Sequence, residues 1–283
     1  LLISVFIIAI CGLVYELIAG TLASYLLGDS VTQFSTVIGA YLFAMGLGAY
    51  VSKFLQRNLL FWFVQTEIIV GFIGGFSAGS LFLIFEKVTS FRIILYTFVI
   101  IIGMLVGLEI PLLMRILKDR FEFKDLVSKV LSIDYLGALV ASLLFPLVLV
   151  PHLGLIQTAF FFGILNVLVG IFTCYLFKEQ LTSFWFLKPL SFLALILLVL
   201  GFVYSDSIVS LAESQRYHDP IVYSKTTPYQ RIVLTQEKGI FNLYLNGNLQ
   251  FSSFDEYRYH EALVHPGLSS HPSPKKVLVL GGG

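Results

Sequence analysis

Seven stretches of the chain carry almost no polar residues, and beyond them the pattern changes. The stretches fall at 1–27, 35–55, 59–85, 91–114, 131–150, 154–177 and 187–204, each bounded by charged or turn-forming residues. A helix needs about 20 apolar residues to cross roughly 30 Å of hydrocarbon, so each run approaches or exceeds the length of one crossing. Backbone polar groups cannot stay unpaired in lipid, and no hydrophilic stretch long enough for a sheet precedes Tyr204, so the runs are expected to be helices. From Asp219 onward the period becomes two, which predicts strands at 221–225, 230–236, 240–245 and 248–251. Asn246-Gly247 between the last two is the dipeptide of a tight hairpin turn. Ser253-Phe254-Asp255-Glu256 has capping-box spacing and predicts a helix running to His265 and ending at Pro266. The run 275–280 reads as a buried parallel strand leading into Gly281-Gly282-Gly283, which is how a nucleotide- or adenosyl-binding α/β domain opens.

The fold class read from this pattern is an α-helical multi-pass membrane bundle of about seven helices over 1–204. A small antiparallel β domain with one helix follows over 205–274, and then the first strand of a Rossmann-like α/β fold over 275–283. Composition agrees: 57% of residues are hydrophobic and 12% charged, against about 25% charged in an average soluble domain. Eighteen Lys and Arg against 17 Asp and Glu give a net charge of +1. No broad cationic field exists to hold nucleic acid, so no nucleic-acid partner is expected. Cys11 and Cys174 each sit inside an apolar run without CxxC or His spacing, and imply neither a disulfide framework nor a metal site. The first run lacks a basic start and a small-residue cleavage site, so it is expected to stay in the protein. The chain begins at Leu1 without Met and stops at Gly283 inside a motif, and is read as a fragment at both ends.

Small residues recur at close-packing spacing in the second run (Gly39, Ala40, Ala44, Gly46, Gly48, Ala49) and the third (Gly71, Gly74, Gly75, Ala78, Gly79), and are expected at helix contacts. Acids inside apolar runs carry more information, because an ionised carboxylate in hydrocarbon costs several kcal/mol and generally faces a partner or a wet cavity. Glu16 lies mid-run. Counting alternate crossings, Glu67, Glu109 and Asp134 fall on one side, with Gln65 close by, and the four acids are a candidate intramembrane cation site. The bland reading of the last three is interfacial acids paired with Lys or Arg, or acids hydrogen-bonded between helices.

Lys53, Arg57, the basic residues of the 115–129 loop, Lys178 and Lys188 share one side, against Lys87 and Arg92 on the other. The positive-inside rule makes the richer side cytoplasmic, and seven crossings then put the tail outside. A tail that uses cytosolic metabolites belongs on the cytoplasmic face of the cell membrane, so the two arguments conflict.

Three motifs of the tail occur in order: Tyr229-Gln230, then Leu245-Asn246-Gly247-Asn248-Leu249-Gln250, then Asp255-Glu256-Tyr257-Arg258-Tyr259-His260-Glu261, before the strand and the glycines. This series resembles the spermidine synthase (polyamine aminopropyltransferase) family, and the hydrophobic part looks like the multi-pass domain fused to some bacterial members. The resemblance implies a small β domain ahead of a methyltransferase-like α/β domain, and transfer of an aminopropyl group from decarboxylated S-adenosylmethionine, as co-substrate, to putrescine. No tightly bound cofactor and no metal are implied; the lipid bilayer is a partner, and a homodimer or higher oligomer is allowed for. Carried over residue by residue, Gln230, Gln250, Gly281, Gly282 and Gly283 match donor-binding positions, and Tyr259 and His260 match polyamine-binding positions. The family's aspartate base lies downstream of the glycine loop, so no catalytic residue is named here, and the fragment is expected to be inactive by itself.

These residue types suit the chemistry. A sulfonium carbon is already activated, so the enzyme must mainly align an unprotonated amine in line with it. Two other readings stay open. One is a membrane transporter for polyamines or other cations with a synthase-like sensory tail, and the other is an adenosyl-binding enzyme running a different small-molecule transfer. Gln230 and Gln250 could also be ordinary strand residues, and Tyr259 and His260, adjacent on a helix, point about 100° apart and cannot face one pocket equally.

Overall fold

The computed structural model describes residues 2–279 except Glu86, Thr89, Asp119, Arg120, Thr182, Ser183, His218, Pro228 and Tyr229. The chain divides into two compact units, Leu1–Arg216 and Tyr217–Gly283. The division falls one amphipathic helix beyond Tyr204, because that helix packs back on the helical unit.

The helical unit contains α1 (Leu2–Leu27), α2 (Ser30–Val51), α3 (Leu59–Ile84), α4 (Phe91–Leu117), α5 (Phe123–Leu144), α6 (Val150–Leu176), α7 (Phe184–Val203) and α8 (Ser205–Arg216). Between α1 and α2 the chain turns through Gly28 and Asp29 with positive φ. The Thr32 hydroxyl and then the Thr32 backbone N–H, which the Asp29 carboxylate accepts, hold this exposed acid below its usual pKa. Among the described residues six helical stretches are long and apolar enough to cross a membrane, by length and composition.

One of the six, Phe123–Leu176, is 54 residues long, which as a straight rod would measure about 80 Å. It is not straight. A wide helical turn at Phe145–Leu149 is followed by Gly154 at φ 71°, ψ 178°, far from helical backbone. An ideal Cβ on Gly137 of α5 would lie 2.7 Å from the Ala9 side chain, and Cys11 Sγ reaches the Phe162 carbonyl of α6 at 3.8 Å. Gly137 and Phe162 would be roughly 37 Å apart on one rod, yet both touch α1 within two residues of each other. The stretch therefore folds back as two helices, which gives seven apolar helices among the described residues.

Helix α1 is the hub. It packs against α2, α3, α4, α5 and α6, and Val14, Leu22 and Ala23 along it are fully buried. Two helix pairs approach so closely that only glycine fits. A Cβ on Gly107 of α4 would collide with the Met45 carbonyl of α2, and one on Gly48 with the Met104 carbonyl, while Gly71 of α3 and Gly163 of α6 each face the other's carbonyl at 2.6 and 2.5 Å. Gly74 and Gly75 are equally tight, against Tyr15 and Leu198. Gly39 and Gly46 instead face open space, so in the second run the close-packing spacing marks Gly48 but not these two. Outside, Phe43 (65% exposed) and Leu139 (56%) project from a face that is apolar throughout, while Thr158, Asn166 and Ser191 are wholly buried.

In the second unit β1 (Ile221–Thr226), β2 (Arg231–Glu237), β3 (Ile240–Leu245) and β4 (Asn248–Ser252) form an antiparallel meander in that order. Two turns with positive φ at both residues, Lys238-Gly239 and Asn246-Gly247, join β2 to β3 and β3 to β4. Their backbone twist matches that of the strands they connect. One face buries Val233 and Thr235, with the Tyr217 ring 4.7 Å from that of Tyr244. The Asp219 carboxylate accepts bonds there from Asn242 Nδ2 (2.9 Å) and Thr235 Oγ1 (3.5 Å).

Two expectations for this unit are corrected. The helix enters through a wide turn, Tyr257–Glu261, and continues as α9 (Ala262–Ser269), passing through Pro266 instead of stopping there. No capping box forms: Ser253 Oγ accepts the Phe241 N–H of β3, so it is committed to the sheet. Residues 274–279 form no strand, and Val277, Leu278 and Val279 are 67–83% exposed. A parallel strand draws its stability from pairing and two-sided burial, and these residues have neither. The Rossmann-like opening is thus not formed by the described residues, and Gly281, Gly282 and Gly283 lie outside them.

Two outcomes are expected. Gly107→Val should drive α2 from α4 and lower the unfolding midpoint by about 3–9 °C, for an overpacking cost of about 1–3 kcal/mol, whereas Gly46→Val should leave it unchanged; thermal unfolding in detergent checks both. Asp219→Ala strands the Thr235 hydroxyl and the Asn242 amide, and should cost about 1–3 kcal/mol in denaturant unfolding followed through the tail.

Candidate functional site

The sequence places candidate residues in both units, and each unit has its own geometry. In the tail, Gln230 sits immediately before β2, where Thr227 fixes both of its backbone groups. The Thr227 N–H and Oγ1 each donate to the Gln230 carbonyl at 2.9 Å, and the Gln230 N–H donates back to Oγ1 at 3.0 Å. One residue on, the Arg231 N–H donates to Asn246 Oδ1 and the Asn246 N–H to the Arg231 carbonyl, both at 2.9 Å. Asn246 therefore makes the hairpin turn and also clamps the start of β2 to it. That clamp holds Gln230 at the turn end of the sheet.

Gln250 reaches the same end from β4. The register pairs Tyr244 with Leu249 and Leu243 with Phe251, so Gln250 is the extra residue of a β-bulge. A bulge re-aims side chains, and bulges are common beside functional sites. Gln250 is exposed. Its neighbour Phe251 packs against the His260 ring with centroids 5.5 Å apart, which brings the wide turn of Tyr257–Glu261 beside β4. Tyr259 stands edge-on to His260 at 5.2 Å and is 67% exposed. The fold thus brings Gln230 and Gln250 toward the Asn246-Gly247 end of β2 and β4, with His260 beside Phe251 further along β4 and Tyr259 exposed next to it.

In the helical unit the candidate acids do not behave alike. Glu67 is 0% and Glu109 2% exposed, and among the described residues neither is paired with Lys or Arg. Both oxygens of Glu67 and one of Glu109 lack a hydrogen-bond partner. Each acid lies eight residues inside its helix, about 12 Å from the same end, which is deeper than the interfacial position the sequence suggested. Glu67 and Asp134 are the acids within electrostatic reach of Glu109. Asp134 is partly exposed on α5. Glu16 and Glu109 both act on Tyr41, whose hydroxyl donates to the Gly12 carbonyl at 2.8 Å.

Apart from Gln65, sequence reasoning missed the neutral groups around the two buried acids. Asn166 and Thr173 of α6 are wholly buried, and the Asn166 amide, the Thr173 hydroxyl, the Tyr15 hydroxyl and Gln65 Oε1 all lack partners. A signal existed: Gly163, Asn166, Gly170 and Thr173 recur at 3, 4 and 3 residues, one face of a helix. That face meets α3, with Asn166 Cβ 3.2 Å from the Cβ position of Gly71 and Glu67 Cβ 3.4 Å from that of Gly170.

The comparisons with known proteins cover both units. The spermine/spermidine synthase domain matches residues 256–283. A polyamine aminopropyltransferase of Leptospira interrogans is 56% identical over the whole chain, and polyamine aminopropyltransferase 2 of Ralstonia nicotianae is 52% identical, again over the whole chain. A polyamine aminopropyltransferase of Oceanobacillus iheyensis is 38% identical over 98% of it. The chain spans 57%, 57% and 55% of these relatives' own lengths. No solved structure matches. Because the identity runs through the helical unit as well as the tail, this chain belongs to the spermine/spermidine synthase family.

Proposed function

We propose that the protein containing this chain is a membrane-bound aminopropyltransferase that moves an aminopropyl group from decarboxylated S-adenosylmethionine to putrescine. The observation that carries this reading is the 56% identity, across all 283 residues, to a protein named polyamine aminopropyltransferase. The positions of Gln230 and Gln250 near the Asn246-Gly247 turn, with His260 packed on Phe251 of the same strand as Gln250, support it.

In this reading the amine nitrogen attacks the methylene next to the sulfonium sulfur. A C–N bond forms, the C–S bond breaks, methylthioadenosine leaves, and the amine gives up one proton to a base outside residues 1–283. Carbon and sulfur need no further activation, so the chain's own contribution is alignment. The Asn246 clamp and the bulge at Gln250 hold two amides on flanking strands at the donor's side. His260, propped on Phe251, faces the acceptor with Tyr259 beside it. The glycines 281–283 would let backbone approach the donor closely.

Membrane residence belongs to the same reading. An outer face of Phe43, Leu139 and similar residues around an interior holding Glu67, Glu109 and Asn166 reverses the order of a water-soluble protein. The tail is placed on the cytoplasmic face, where a donor made in the cytosol can reach it.

The natural full-length protein, given decarboxylated S-adenosylmethionine and putrescine, should release methylthioadenosine and spermidine in equal amounts; the absence of both overturns the proposal. Gln250→Ala should lower kcat/KM by about 2- to 15-fold, the worth of one neutral hydrogen bond, chiefly through the donor's KM. For membrane placement, the protein should stay with the pellet in alkaline carbonate, and trypsin outside intact spheroplasts should leave Lys275-Lys276 uncut until lysis. Cleavage before lysis would put the tail outside.

A further inference from the structure

We infer that the core of the helical unit holds a binding site for a protonated aliphatic amine, built from Glu67 of α3, Glu109 of α4, Asn166 and Thr173 of α6 and Tyr15 of α1. The argument starts from cost. A buried ionised carboxylate without a partner is several kcal/mol unfavourable, and two within reach of each other are worse. Among the described residues no Lys or Arg pairs with either. Bland packing of protonated acids would pair them with the polar groups nearby, but the neighbouring groups are left unpartnered as well. Both polar atoms of Asn166, the Thr173 hydroxyl and the Tyr15 hydroxyl make no hydrogen bond, although the three residues are at most 2% exposed. Native interiors rarely leave so many polar atoms unsatisfied in one place.

These groups are together. Tyr15 lies within electrostatic reach of both Glu109 and Glu67, and its ring presses on Gly74, one turn along α3 from Gly71. Gly71 and Gly170 are the positions at which Asn166 and Glu67 cross between α3 and α6. The inventory of atoms selects the ligand. Carboxylate, amide and hydroxyl oxygens offer a surplus of acceptors, and a carboxylate that ionises to meet a cation supplies the charge, which suits an ammonium head with three N–H donors. Among the described residues no three His, Cys, Asp or Glu side chains gather as a metal site would require. Val70 and Phe63 of α3 and Val167 of α6, on the same helices, are fully buried and apolar, surroundings that suit a methylene chain better than a hydrated ion. The site lies in the helical unit and does not depend on the transfer reaction proposed for the tail.

The test is calorimetric titration of 1,4-diaminobutane hydrochloride into the full-length protein in nanodiscs, against sodium chloride at equal ionic strength. The double variant Glu67→Gln, Glu109→Gln should lose one binding equivalent, or bind it at least tenfold more weakly, with methylthioadenosine production unchanged. Thr173→Val, nearly isosteric and expected to fold, should weaken the same equivalent about threefold. Unchanged stoichiometry and affinity in both variants overturns the inference, as does complete displacement of that equivalent by matched sodium chloride. Should the double variant not fold, an unaffected Thr173→Val together with an unaffected Asn166→Leu overturns it alone. Failure of the transferase proposal would appear as absent product, and leaves this reading of Glu67 and Glu109 separately decided.

Discussion

The approach of α3 to α6 through Gly71 and Gly163 governs the rest of the helical unit. With each glycine's Cβ position within 2.6 Å of the other's carbonyl, no side chain can stand between the two backbones. Dispersion contacts along such a seam replace the hydrophobic drive that lipid does not supply. The same seam sets the height at which Glu67 meets Gly170 and Asn166 meets Gly71, so the polar interior is a consequence of where the glycines allow closest packing. Helix α1 then fills the remaining side with Tyr15 against Gly74.

In the tail the comparable constraint is the Asn246 clamp. One residue supplies the positive φ of the hairpin, an acceptor for Arg231 N–H and a donor to its carbonyl. Strands β2 and β4 never pair with each other, yet residues at their ends are brought to one edge because both are tied to the turn that bounds β3. The polar knot of Asp219, Thr235 and Asn242 holds the opposite end of the same three-strand segment, and it fixes the strand entry that follows Tyr217.

Much of this was legible in the chain, for identifiable reasons. The apolar runs announce helices because length and polarity are local properties, and the four strands follow from alternation bounded by turn dipeptides. What escaped reading depends on partners distant in sequence. Ser253 has capping-box spacing, but Phe241, 12 residues earlier, takes its hydroxyl. The run 275–279 has strand composition, but strand character is conferred by neighbours. Gly39 and Gly46 share the spacing of Gly48 yet point away from α4. The acids were visible, whereas Asn166 and Thr173 were not, since neutral polar residues in an apolar run declare themselves only when the opposing helix is known to carry charge. The bulge at Gln250 likewise leaves no mark in the strand's own alternation.

The backbone at Gly154, φ 71° and ψ 178°, occupies a region that a β-carbon forbids to every L-residue. The fold-back that follows α5 therefore rests on the one amino acid without handedness, within the first turns of α6, and two prolines, Pro146 and Pro151, stand upstream of it. Had any chiral residue stood there, the chain's easiest course would be to continue as a single column more than twice the thickness of a bilayer's oily layer. Whether this polypeptide is a bundle or a spike is decided at a single stereochemically neutral joint.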